Sequence, residues 1–158
     1  MAVEFSILGL DPILEKLRSI PVELRKKPGR SALGSAARVV ANAAKQNALS
    51  IDDKDTGRRI ADNVTQRFRS RYLKQTGDLK ISVGVGTEKG RIPKGNPDTG
   101  AKGNTPHWHL VELGTEKMRA EPYLQPALEQ NIGKATDTFV TQLDLQLDKI
   151  IKKQGGST

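Results

Sequence analysis

The chain switches between two hydrophobic periods, and the switches mark its elements. Residues 3–8 set Val3, Phe5 and Ile7 against Glu4 and Ser6, the alternation of a half-buried strand. Asp11 then suits a helix N-cap, with Pro12 at the first helical position and Glu15 one turn on. Leu14 and Leu17 give that short helix one apolar side, and Pro21 ends it. RKKPGR, residues 25–30, reads as a basic loop or frayed helix end. Residues 31–49 are alanine-rich, with Leu33, Ala37, Val40, Ala44 and Ala48 along one face of a predicted helix. After a turn at 52–59, the spacing of Ile60, Val64, Phe68 and Tyr72 predicts a second helix over 58–73.

Leu79, Ile81, Val83 and Val85 alternate with Lys80, Ser82 and two glycines, which predicts a strand. Its expected hairpin partner is HWHLVELG, residues 107–114, reached across a long Gly/Pro/Lys-rich loop at 89–106. From Glu121 to about Lys152 an apolar stripe runs through Leu124, Leu128, Ile132, Ala135, Phe139, Leu143, Leu147 and Ile150. About 30 helical residues span roughly 45 Å, whereas a domain of this size has a radius of gyration of only ~15 Å. Such a helix bends, with Gly133 the candidate, or reaches past its own core, which makes Phe139, Leu143, Leu147 and Ile150 candidate oligomer contacts. These elements predict one α+β domain over 1–158, with no internal repeat. A small antiparallel sheet, the N-terminal strand plus the long-loop hairpin, packs with helices. The long C-terminal helix follows, the 89–106 loop is flexible and basic, and the tail 153–158 is frayed.

Charge sharpens the picture. The net charge is +8, yet residues 106–158 carry 6 Lys/Arg against 7 Asp/Glu, so the excess lies in the first two thirds. A polyanionic neighbour is one implication and a solvated surface the plainer one. Arg67, Arg69, Arg71 and Lys74 fall on the predicted second helix. Lys89, Arg91, Lys94 and Lys102, with Asp98 the one acid among them, fall on the loop, which could face a partner or packaged DNA. A low hydrophobic fraction of 35%, with 4% aromatics, fits a polar surface and gives no array for stacking on single-stranded nucleic acid.

Candidate chemistry is sparse. The chain has no cysteine, which excludes disulfides, thiolate metal sites and a cysteine nucleophile. His107 and His109 would share a face of a strand, but Glu112 falls on the other face and no third histidine exists. No GxSxG elbow is present, and GVGTEKG at 84–90 lacks the Gly-Lys-Ser/Thr ending of a phosphate loop. The expectation is a non-enzyme without metal or cofactor. The N-terminus has no basic region ahead of its short apolar run, and no stretch approaches the ~20 apolar residues of a membrane span. A soluble protein with no membrane contact is expected.

One stretch is specific. Val111, Glu112, Leu113, Gly114 and Thr115, a short basic turn, then Pro122, Tyr123, Leu124, Pro126, Ala127 and Leu128 resemble the lambdoid long-tailed phage tail-completion or neck family, the gene-product-ten-like minor tail components. The opening through Gly9-Leu10, the alanine-rich helix and the Thr56-Gly57 turn are also similar. The predicted helix at 58–73 departs from the family, in which a strand follows the Thr-Gly turn quickly. As read here, 111–128 is a strand–turn–helix joint, with Glu112 accepting backbone N–H bonds at the turn and Tyr123 and Leu124 packing the helix start. The resemblance implies a virion protein, made in the host cytoplasm, forming a ring of six copies at the head–tail junction. Its implied partners are itself, the head-side connector or stopper, the tail terminator and the tail tube protein. A tail terminator ring and a basic nucleic-acid-binding module are the alternatives.

Overall fold

The computed structural model of the protein describes residues 10–51, 59–86, 105 and 107–155. The expected strand at 3–8, the turn at 52–58, nearly all of the 89–106 loop and the tip of the tail lie outside the described residues. Those that are described form an α+β arrangement of six helices and one two-stranded antiparallel sheet.

Two long helices form the frame: α2, Val22–Leu49, and α6, Leu124–Lys153. Ala32, Ala36, Val40, Ala44 and Ala48, each four residues from the next, are all buried. Residues four apart stack on one side of a helix, and small ones there let a second helix approach closely. The two run antiparallel. Asn47 near the end of α2 donates from Nδ2 to the Tyr123 carbonyl at 3.2 Å. At the other end Ala32 shares a cluster with Leu143 and Leu147 of α6.

This frame corrects the reading of 25–30 as a loop, because RKKPGR lies inside α2. Pro28 forgoes one helical hydrogen bond, a cost of about 3 kcal/mol in an open helix, but here its ring is fully buried. A Cβ on Gly29 would stand 2.8 Å from Leu79 Cδ1, so the bare glycine is what lets Leu79 approach. The longer α2 matters for α6. With 28 residues beside 30, α2 accompanies α6 along its length, and α6 does not outrun its own protomer. It passes through Gly133 as one continuous helix.

α1, Leu10–Ser19, covers the far end of α6. Ile13, Ile20, Ala32, Leu143 and Leu147 are buried together, with Phe139 and Ile150 packed against them. Leu143 and Leu147, expected to meet a neighbouring subunit, are therefore interior residues of the protomer. Lys16 of α1 pairs with Asp144 at 2.6 Å and Asp148 at 2.8 Å. Arg25 Nε donates to the Ile20 carbonyl at 3.0 Å and ties the α1–α2 junction.

The predicted helix at 58–73 is instead three elements: the single turn α3, Ile60–Asn63, the strand β1, Val64–Phe68, and the short helix α4, Ser70–Thr76. β1 pairs with β2, Ile81–Val85, in the register Val64 with Val85 through Phe68 with Ile81. The failure has a plain cause. Residues four apart share a face on a strand as well as on a helix, so the spacing of Ile60, Val64 and Phe68 fits both, and the Val-Thr…Phe content of 64–68 suits the strand. With β1 starting at Val64, a strand does follow the Thr56-Gly57 segment closely, and the departure noted from the resembled family disappears.

The hairpin partner expected at 107–114 is also corrected. β2 pairs with β1, and residues 108–113 form helix α5, Trp108–Leu113. Asn63 bonds both to Gly86 after β2 and to Thr105 ahead of α5. The Asn63 carbonyl accepts from Gly86 N at 2.9 Å, and its Nδ2 donates to the buried Thr105 Oγ1 at 3.0 Å.

Candidate functional site

The segment that carries the resemblance builds a helix–turn–helix joint, not the strand–turn–helix joint expected. α5 ends at Gly114, whose φ of +76° suits only glycine comfortably. A Cβ there would lie 2.7 Å from the Ala120 backbone nitrogen. The turn then closes on Thr115. Its Oγ1 accepts from Met118 N at 3.0 Å, and its own N–H donates to the Met118 carbonyl at 2.9 Å. Glu121 N returns to the Val111 carbonyl at 2.8 Å.

Glu112 is the keystone. Its Oε2 accepts from Tyr123 N at 2.8 Å and Leu124 N at 3.0 Å, and its Oε1 accepts from Gln125 N at 3.0 Å. A helix start leaves four N–H groups without internal partners and carries partial positive charge. α6 has no cap from its own first residue, so a carboxylate from α5 supplies what local sequence does not. Tyr123 is fully buried among Val64, Ala44, Ala48 and Ala127, and its hydroxyl donates to the Trp108 carbonyl at 3.3 Å. Burial, with the Glu112 charge adding to it, pushes the Tyr123 phenol above its ordinary range. Leu113 is not part of this packing. It is 76% exposed and shares a side of α5 with Leu110, and Met118 is also exposed in the turn.

Beside the joint lies an open apolar groove of about 620 Å³ between α2, β2 and α6. Leu33, Ala37, Ile81, Val83, Leu128 and Ile132 are among its walls, and Leu128 of the motif is half exposed there. None of Leu110, Leu113 and Met118 lines it. One protomer therefore presents exposed apolar side chains on α5 and its turn and a separate apolar groove.

The basic residues sort differently from expectation. Arg67 stands on β1, Arg69 follows it, and Arg71 and Lys74 lie on α4, so no single helix carries them. Strand pairing adds Lys80, which the linear pattern did not single out: Arg69 N donates to the Lys80 carbonyl at 2.9 Å. Lys89, Arg91, Lys94 and Lys102 lie outside the described residues. His109 is exposed, its ring edge-on to Trp108 at 5.6 Å. On a helix rather than a strand, positions 107 and 109 turn about 200° apart, so the shared face expected of the histidines does not form. Among the described residues no group of three His, Asp or Glu side chains is placed to hold a metal, and no described helix is long and apolar enough to cross a membrane.

Residues 11–114, about two thirds of the chain, match the family model HK97-gp10_like, described as "Bacteriophage HK97-gp10, putative tail-component". The chain belongs to the HK97-gp10-like family of phage tail components. No curated protein and no solved structure matches it. Membership makes the protein a structural component of a phage tail, a virion protein that works among other head and tail proteins. The HK97-gp10-like match ends at Gly114, so it includes Glu112 and the start of the turn, whereas the segment Pro122–Leu128 that Glu112 caps lies beyond it.

Proposed function

We propose that this HK97-gp10-like protein is a non-catalytic ring subunit at the head–tail junction, six copies of which join the head-side connector to the tail terminator and tail tube. The observation that carries this reading is the presence of two unlike apolar surfaces on one protomer. A ring closes through heterologous contacts, in which each subunit offers one patch and receives another. The exposed side chains of Leu110, Leu113 and Met118 and the groove beside Leu128 meet that requirement with residues of the same chain. Burying each such side chain is worth about 1.5–3 kcal/mol. Among the described residues, the pKa of Lys16 is raised by its hydrogen bonds to Asp144 and Asp148 and that of Tyr123 by burial, so both displacements come from contacts within the fold, in keeping with a structural role.

Sedimentation of the purified protein, alone and with tails assembled without it, tests this. Wild type forms a closed ring alone or on the tails, and Leu113→Glu and Leu128→Glu each stay folded and monomeric. An equimolar mixture of the two variants forms dimers, because each retains the surface the other lacks. Variants that still close rings overturn the reading. So does unfolding of Leu128→Glu, which would mean that the groove is covered within the protomer. A ring that caps the growing tail tube would make the protein a terminator instead.

A further inference from the structure

We infer that the outer face of the sheet, with the adjoining α4, is a docking site for the sugar-phosphate backbone of duplex DNA. The pairing of Arg67 with Ser82 and Thr65 with Gly84 sets these four residues on the same outward face. Three of them are small and uncharged, so Arg67 stands beside a shallow floor. Arg69, Ser82 and Gly86 extend that floor into a cavity of about 240 Å³. A second cavity of about 550 Å³ shares Arg67, Arg69 and Ser82 and adds Arg71 and Lys80.

Four cations thus line one continuous concavity, and among the described residues no acid lines it. None of the four has an acidic ion-pair partner among the described residues, although Lys16 elsewhere has two. Arg69 is held by a 2.9 Å hydrogen bond from Nε to Ser82 Oγ, which leaves its terminal nitrogens to project. Of the two aromatics lining the concavity, Tyr72 has Lys80 Nζ 4.8 Å from its ring centroid and Phe68 has Arg30 Cζ at 4.1 Å, so both already carry a cation and neither is a free platform for bases. Four cations without acids, beside aromatics that already carry cations, fit phosphates read without regard to sequence. An acidic protein segment is the competing ligand, and a cleft with four cations and, among the described residues, no acid favours the more densely charged polymer. This site does not depend on the ring reading above.

The test is binding of the full chain to a fluorescent duplex of about 30 base pairs across a salt series. Four phosphate contacts give a slope of log K against log salt of about −3 to −4. The double variant Arg67→Gln/Arg71→Gln reduces that slope by about two and weakens binding by more than about tenfold at low salt. Lys149→Gln, an exposed cation on α6, lowers the slope less than either single arginine change. Circular dichroism confirms that all variants remain folded. Salt-independent binding, or a double variant that binds as wild type does, overturns the inference. So does a polyglutamate of matched length that displaces the duplex at equal charge.

Discussion

The two ends of the α2–α6 pair are fastened by different physics. At the joint end, position is set by directional bonds: three backbone N–H groups on one carboxylate, a glycine in a conformation other residues resist, and an asparagine reaching across to the Tyr123 carbonyl. At the α1 end, Ile13, Ile20, Leu143 and Leu147 meet through apolar side chains, and the polar contacts are the Lys16 ion pairs and the Arg25 bond to the Ile20 carbonyl. Apolar packing fixes how much area is buried but tolerates small shifts, whereas hydrogen bonds fix direction and register. The end that must hold α5 and its exposed leucines at a set angle is the one built from bonds.

This contrast is easiest to break with Leu147→Ala at the α1 end. Leu147 is fully buried, and its truncation is expected to cost about 3 kcal/mol, read as a lower urea midpoint with an unchanged denaturant slope. A folded, equally stable variant that fails only to assemble would make Leu147 an intersubunit residue after all. Glu112→Gln comes next, at about 2 kcal/mol. The amide keeps one acceptor oxygen and loses the charge at the helix start. Its distinguishing effect is local: hydrogen exchange at the amides of Tyr123, Leu124 and Gln125 accelerates more than at the α1 end. Uniform acceleration would mean that the joint and the core unfold together. The smallest effect is that of Lys16→Met. The side chain is partly exposed, and its pairs are screened by salt. The variant's melting temperature lies slightly below that of wild type at low ionic strength and converges with it near about 0.5 M salt. A difference that persists at high salt would mean that the Lys16 pairs act as part of the packed latch.

The segments legible without coordinates were those whose partners are local. α1 begins at Leu10, two residues before the expected first helical position, so Asp11 lies in the first turn rather than at the cap, and the helix ends before Pro21 as expected. Both long helices followed from periodicity and β2 from strict alternation, but the buried seam of α2 runs through Ala32 and Ala36 rather than the expected Leu33 and Ala37, which line the open groove with Leu128 of the α6 stripe. Glu112 was correctly expected to accept backbone N–H bonds, although its partners are on α6 rather than in the turn beside Gly114. The misreadings have a common origin. Pro28-Gly29 looks like a break because isolated helices avoid it, and only burial against other elements makes it tolerable. His107–Gly114 alternates over too few residues to choose a strand over two helical turns, and as helix α5 it brings the Trp108 carbonyl to the Tyr123 hydroxyl and Glu112 to the start of α6.

Sequence by itself determined the α+β class, the long helices, the charge asymmetry and the motif around Glu112, since each depends on residues within a few positions of one another. Tertiary structure alone decided that Val64–Phe68 is a strand, that Lys80 joins Arg67, Arg69 and Arg71, that Leu143 and Leu147 are interior, and that a groove stays open beside Leu128. Each of these is settled by which distant segment satisfies a backbone edge or covers an apolar face, and a four-residue spacing read along the chain is the same for either outcome.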